Sequence, residues 1–152
     1  MEKIPVIIDC DPGHDDMMAL VLAYGSHALD IRAVTTVAGN NTVQNTTRNA
    51  LNVLHYIGAD EVPVAMGYQD PMVRSHAQQI ENLAASRRKL RPAPKAEEGQ
   101  KVTGAAVHGK SGMDGFVFPE ENPKEAETLR SVEMMAKVLR ESEQSVVIIA
   151  TA

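Results

Sequence analysis

The chain has few of the residues that give covalent or aromatic stabilisation. A single cysteine, Cys10, among 152 residues excludes an internal disulfide framework and fits a reducing compartment. It lies within an apolar run, where a thiol is expected to be buried and structural. Tryptophan is absent and there are only two phenylalanines, so aliphatic side chains and eight methionines must fill the core. Basic charge is also short: 15 Lys and Arg against 20 Asp and Glu leave a net charge of −5, without the basic footprint of a nucleic-acid binder. The one basic cluster, Arg87, Arg88, Lys89 and Arg91, runs directly into Pro92, Pro94, Glu97 and Glu98, and reads as a solvated helix end. No run reaches the roughly 18 apolar residues of a membrane span, and the first residues lack the apolar segment of a signal peptide. These absences lead to the expectation of a soluble cytoplasmic protein without a membrane or nucleic-acid partner.

What is present alternates between strand and helix patterns. "IPVIIDC" (4–10) is a nearly continuous apolar run, as expected of a strand covered on both faces. "DDMMALVLAYG" follows with helix formers and Gly25 as a stop, and Met17 and Met18 are both expected in the core. "IRAVTTVAG" (31–39) reads as a second strand, and 42–58 as a helix with Ala50, Leu51, Leu54 and Ile57 on one face, ending at Gly58. "VPVAMG" (62–67) reads as a third strand. Further on, the pattern predicts a helix at 76–90, a glycine-rich loop "HGKSGMDG" (108–115), a helix over 124–141 and a strand "SVVIIATA" (145–152). Such alternation implies right-handed βαβ crossovers and a mostly parallel sheet.

The chemistry is concentrated in "VIIDCDPGHDDMMAL", where Asp9, Asp11, Asp15 and Asp16 fall within eight residues at the passage from strand to helix. Pleat alternation puts Asp9 and Asp11 on one side, Pro12 and Gly13 turn the chain, and Asp15 and Asp16 open the helix. All four carboxylates are therefore expected to converge at the C-terminal edge of a parallel strand, where open α/β sheets bind ligands. One acid there could cap the helix and a second could suit its dipole, but four would repel one another unless a cation neutralised them. Oxygen donors alone favour a hard cation, Ca²⁺ or Mg²⁺. An EF-hand loop beginning at Asp9 is excluded, because its required Gly and Glu positions hold His14 and Leu20. A haloacid-dehalogenase-type phosphatase also opens with Asp-x-Asp, but it has no need of the adjacent pair Asp15–Asp16.

"DCDPGHDD" resembles the Asp-x-Asp-x-x-x-Asp-Asp fingerprint of the inosine/uridine-preferring nucleoside N-ribohydrolases. "TTVAGN" (35–40), "TTRNALNVL" (46–54), "VPVAMGYQDPMVR" (62–74), "HGKSGMDG" (108–115) and "VVIIATA" (146–152) resemble successive motifs of the same family, in order. The fold implied is an open, mostly parallel, Rossmann-like α/β sheet flanked by helices and cut short at its C-terminus. Residues 1–152 would form the N-terminal part of a nucleoside hydrolase domain. The reaction implied is Ca²⁺-dependent hydrolysis of the N-glycosidic bond of a ribonucleoside. By resemblance, Asp11 and Asp16 ligate Ca²⁺ together with the main-chain carbonyl of Thr151, and Asp11 also takes the proton of the attacking water. Asp15 holds a ribose hydroxyl, Asn40 contacts the ribose or the water, and Asp9 supports the network from behind. His108 lies near the base; His14, His27, His55 and His76 are assigned no ligand role. The family commonly forms dimers or tetramers, so a homo-oligomer is the implied assembly.

Two departures from the family stand out. Its longer members carry in their second half another aspartate ligand, a histidine that protonates the leaving base and further ribose contacts, none of which matches a segment here. The glycine that usually follows the strand-end threonine is Ala152. The alternative expectation is therefore a non-catalytic fragment that retains part of a cation or ribose site.

Overall fold

The computed structural model describes residues 2–69, 105–118 and 122–152. The helix expected at 76–90, the basic cluster 87–91 and His76 lie outside the described residues. The elements are β1 (Ile4–Cys10), α1 (His14–Gly25), β2 (Leu29–Thr36), α2 (Val43–Tyr56), β3 (Val64–Met66), a single turn α3 (Ala105–His108), α4 (Ser131–Glu141) and β4 (Val147–Ala150).

The four strands form one parallel sheet in the order β3-β2-β1-β4, as the alternation of strand and helix patterns predicts. β1 is central, with Asp9 opposite Thr35 on one side and Ala150 on the other. Alternation divides the strand residues between two layers. Val6, Ile8, Cys10 and Val34 pack with Leu20 of α1 and Ala50, Val53 and Leu54 of α2. Ile7, Ala33 and Ala65 pack on the opposite face against Met134 of α4. Cys10 is fully buried, as expected, and burial pushes its thiol far above the ordinary range, so it is inert.

α2 ends as its sequence foretells. Gly58 adopts φ +76° and its N–H donates to the His55 carbonyl, while Ala59 N–H donates to that of Leu54. This is the Schellman pattern, in which a left-handed residue satisfies the last carbonyls of a helix.

Several boundaries depart from expectation. β2 runs over Leu29–Thr36 rather than 31–39, because beyond Thr36 the chain bends into the loop that reaches Asp11. Helix α4 starts at Ser131, not 124; Glu127 N–H instead donates to the carbonyl of Val64, the first residue of β3, which holds this stretch out of a helix. Met17 packs on the core but Met18 is 63% exposed, a correction to the expected core pair. Consecutive helical residues are separated by about 100° around the axis, and on α1 the buried stripe of Asp16 and Leu20 leaves Met18 on the outer face. Among the described residues, no helix is long and apolar enough to cross a membrane.

Candidate functional site

The site forms where β1 stops. Parallel pairing holds its last residues rigidly between β2 and β4, and Val37 N–H continues the ladder to the Cys10 carbonyl. Asp11, Pro12 and Gly13 then leave the sheet and enter α1, whose first intrahelical bond runs from Met17 N–H to the Gly13 carbonyl. No side chain caps this helix; Gly13 is the N-cap and Asp15 and Asp16 occupy the first turn, where negative charge suits the dipole.

The four aspartate backbones share this edge, but their side chains part company. Asp11 and Asp16 are both buried and interact directly, with Asp11 N–H donating to Asp16 Oδ2 at 3.0 Å. Asp11 Oδ2 accepts the Asn40 N–H at 2.5 Å, and the Asn40 side-chain amide donates to the Asp11 carbonyl at 3.1 Å. Burial pushes the Asp11 carboxyl above its ordinary value, the Asn40 bond opposes this, and the charge of Asp16 adds to the rise. Asp9 is turned to Thr35, whose hydroxyl donates to its Oδ1 at 2.6 Å, so it does not join the pair. Asp15 is exposed, with Oδ1 4.0 Å from His108 Nε2. The expected convergence of all four carboxylates therefore resolves into one buried pair and two acids engaged elsewhere. Accordingly, among the described residues no three His, Cys, Asp or Glu side chains group around a common point.

Thr151 follows the Asp9–Ala150 register pair, and its N–H donates to the Asp9 carbonyl at 2.9 Å. It thus reaches the same sheet edge as the acids. Gly39 is required at its position by proximity: a Cβ there would lie 2.1 Å from Asp11 Oδ2.

The loop 108–115 closes over the turn. Asp114 organises it, accepting the N–H groups of Lys110 and Ser111 at 2.9 and 3.0 Å and the Ser111 hydroxyl at 2.6 Å. These bonds hold its carboxyl down at about 2, and it serves as a clamp within the loop. Asn49, buried on α2, donates to the carbonyls of Pro12 and Ser111 at 3.0 and 3.1 Å, tying the acidic turn to the loop. Asn41 adds a bond to the Lys110 carbonyl at 3.0 Å.

Within this frame His108 packs on His14, with ring centroids 5.4 Å apart and planes 26° from parallel. The His14 N–H donates to His108 Nδ1 at 3.3 Å, the two Nδ1 atoms face each other at 3.1 Å, and His14 Nε2 lies 3.1 Å from the Asp114 carbonyl. The sequence assigned His14, Asn41, Asn49 and Asp114 no part in the site. Asn49 carried a usable signal: it is a polar residue on the stripe formed by Thr46, Ala50 and Val53, where a buried amide needs partners. Nothing in the local sequence of His14 distinguished it from a solvated histidine.

The donor set is all oxygen. Among the described residues neither Asp11 nor Asp16 has an ion-pair partner, and each accepts a single hydrogen bond from the chain. Two adjacent buried carboxylates with spare lone pairs are suited to a hard cation, which would remove their mutual repulsion.

Comparison with known proteins identifies the family and the fold. Residues 6–152 match the family model described as inosine-uridine preferring nucleoside hydrolase. The chain is 40% identical over 149 residues to the pyrimidine-specific ribonucleoside hydrolase RihA of Citrobacter koseri, covering 97% of this chain and 39% of that protein. It is 40% identical over 147 residues to RihA of Photobacterium profundum, with the same coverage. A solved plant nucleoside hydrolase superposes with a TM-score of 0.72 at 27% identity, over 99% of this chain and 40% of the other. A purine-preferring ribonucleoside hydrolase from Gardnerella vaginalis shares the fold, with a TM-score of 0.73 at 23% identity over 97% of this chain and 40% of its own. The chain thus spans 39% of the length of the curated relatives it matches. Because the family match begins within β1 and runs through every strand that builds the acidic edge, the chain belongs to the inosine-uridine preferring nucleoside hydrolase family.

Proposed function

We propose that the Asp11–Asp16 edge is the cation and ribose half of a Ca²⁺-dependent ribonucleoside hydrolase. The observation that supports it most is the buried, mutually repelling carboxylate pair clamped by Asn40 at the C-terminal end of the central strand. In this reading Asp11, Asp16 and the main-chain carbonyl of Thr151 hold Ca²⁺. A bound Ca²⁺ would make a nearby water more acidic and orient the ribose diol.

The rest follows from the chain's own residues. Water oxygen bonds to the anomeric carbon of ribose as the N-glycosidic bond breaks, and the bonding electrons leave with the base. Asp11 accepts the proton given up by the water; its raised proton affinity suits a general base better than that of an ordinary carboxylate. The attack passes through an oxocarbenium-like state, which the acidic pocket stabilises electrostatically. Asp15, exposed at the rim, takes a ribose hydroxyl. Asn40 keeps Asp11 in place, and its remaining amide oxygen is free for the ribose or the water. His108 faces the base.

A second reading, binding of cation and ribose without turnover, draws support from the site itself, where among the described residues Asp11 and Asp16 pair without a third acid or histidine grouped on them. Ribose release from uridine and inosine, with and without Ca²⁺, on this chain and its Asp11→Ala variant tests both. Ca²⁺-dependent release lost in the variant supports hydrolysis. Calorimetric Ca²⁺ binding lost in the variant, without release, supports the second reading, and absence of both refutes the site.

A further inference from the structure

We propose that Gly13 and His14 form a seat for the ring of His108 and hold it as the Nε2–H tautomer directed toward Asp15. The inference builds on the hydrolase reading for its consequence in turnover, but its geometry stands independently. His14 is a positioning residue in this scheme.

The tautomer follows from donors and acceptors. The His14 backbone N–H can only donate, so His108 Nδ1, at 3.3 Å, is the acceptor and carries no proton. The His108 proton is therefore on Nε2, the nitrogen that faces Asp15 Oδ1 at 4.0 Å. A neutral His14 ring has one proton for two acceptors, the Asp114 carbonyl beside its Nε2 and His108 Nδ1 beside its Nδ1, so these contacts fix the tautomer of His108 and not that of His14. The main-chain N–H of His14 thus fixes His108, and the stacked imidazole of His14 restrains the plane of that ring. Fixing a histidine's tautomer through the bond at its other nitrogen is a general device for aiming a proton donor.

Gly13 supplies the second, independent observation. Its backbone is extended, φ −106° and ψ −162°, which any residue can adopt. Backbone freedom is therefore not the reason for glycine at this position. A Cβ here would meet three atoms of the His108 ring at 2.8–2.9 Å, closer than such contacts occur. The absent side chain is the space in which the ring lies. With its side chain only 12% exposed, His108 has little freedom to move away.

Nitrogen-15 NMR of the histidine rings in the full chain tests the proposal, with His55, bonded to Asp60, as internal control. His108 is expected as Nε2–H. In His14→Ala its ring resonances shift and broaden while those of His55 stay in place. His14→Phe, which keeps both the main-chain N–H and a ring to stack on His108, restores the parent pattern. Gly13→Ala displaces the His108 signals and lowers the unfolding midpoint, and that loss disappears in a His108→Ala background. An Nδ1–H tautomer, unmoved His108 signals in His14→Ala, or an equal Gly13→Ala penalty with and without the His108 ring would overturn it. The expected tautomer without ribose release would refute the hydrolase reading and leave the seat standing. Release with the wrong tautomer would do the reverse.

Discussion

Replacing Asn49 with alanine cuts two ties in one step. Its side-chain amide donates one proton to the Pro12 carbonyl in the acidic turn and the other to the Ser111 carbonyl in the loop that carries His108. The residue is 5% exposed, so neither carbonyl recovers its bond from bulk water without local opening. At about 1 kcal/mol per net hydrogen bond, the pair is worth roughly 2 kcal/mol. In a chain of this size that corresponds to a melting temperature lower by about 4–8 °C. Asn49→Asp sharpens the test, since it keeps the shape and removes the donors, turning a carboxylate onto two carbonyl oxygens. It should cost more than alanine does. Urea and thermal unfolding measure both, and amide hydrogen exchange over 108–115 should quicken in each variant while β1 and β2 stay protected. Equal tolerance of Asp and Asn at this position would refute the bridging account, because a role that depends only on volume would not distinguish the two.

Other consequences concern charge and space. The Asp11 carboxyl is raised above its ordinary 3.8, chiefly by burial, so the folded chain binds this proton more tightly than the unfolded one. The stability it contributes is present below 3.8 and lost as pH rises through the raised value. Asp11→Asn should therefore raise the cation-free melting temperature at pH 7 but not at pH 3, and added Ca²⁺ should stabilise the parent alone; identical melts at pH 7 would contradict this. Asp114 has the opposite sign. Held at about 2, it contributes stability above 3.8 that is lost as pH falls toward 2. Asp114→Ala should expose the Lys110 and Ser111 amides to faster exchange at neutral pH, and unchanged protection would show that the clamp is idle. Gly39→Ala would place a Cβ 2.1 Å from Asp11 Oδ2. Calorimetric Ca²⁺ affinity should fall at least tenfold with little change in the far-ultraviolet circular dichroism, and parental affinity would mean that Asp11 does not hold the ion.

Much of the fold was legible because its signals are local. A strand buried on both faces has to be apolar throughout, and β1 is; α2 announces its C-terminus with Gly58, whose positive φ closes the helix. The errors arose where a long-range contact overrides local preference. Residues 124–130 contain helix-compatible Glu and Lys, yet the bond from Glu127 N–H to Val64 in β3 draws the segment along the sheet. That partner lies more than sixty residues away, and no window of sequence contains it. Met18 was misjudged for a different reason, because apolar character says that a residue can be buried and not that a given helix face meets the core.

The site divides along the same line. Asp11, Asp15 and Asp16 could be placed on one edge because the strand-turn-helix passage forces them there within six residues. How their side chains are shared out could not be read, because it depends on partners from other elements. Thr35 of β2 takes Asp9, Asn40 clamps Asp11, and the loop after α3 brings His108 to Asp15. Asn40 and His108 were expected at the site, but toward the substrate and not as partners of these acids, and Thr35 was not expected there at all. Their effect is to separate four like charges into roles that can coexist. Asp9 is turned aside by a hydroxyl hydrogen bond, Asp15 is left to solvent, and Asp11 and Asp16 are held together out of water. Keeping two of them adjacent and buried costs the chain stability, as the raised Asp11 carboxyl records, and that cost is the observation on which the proposed cation site rests.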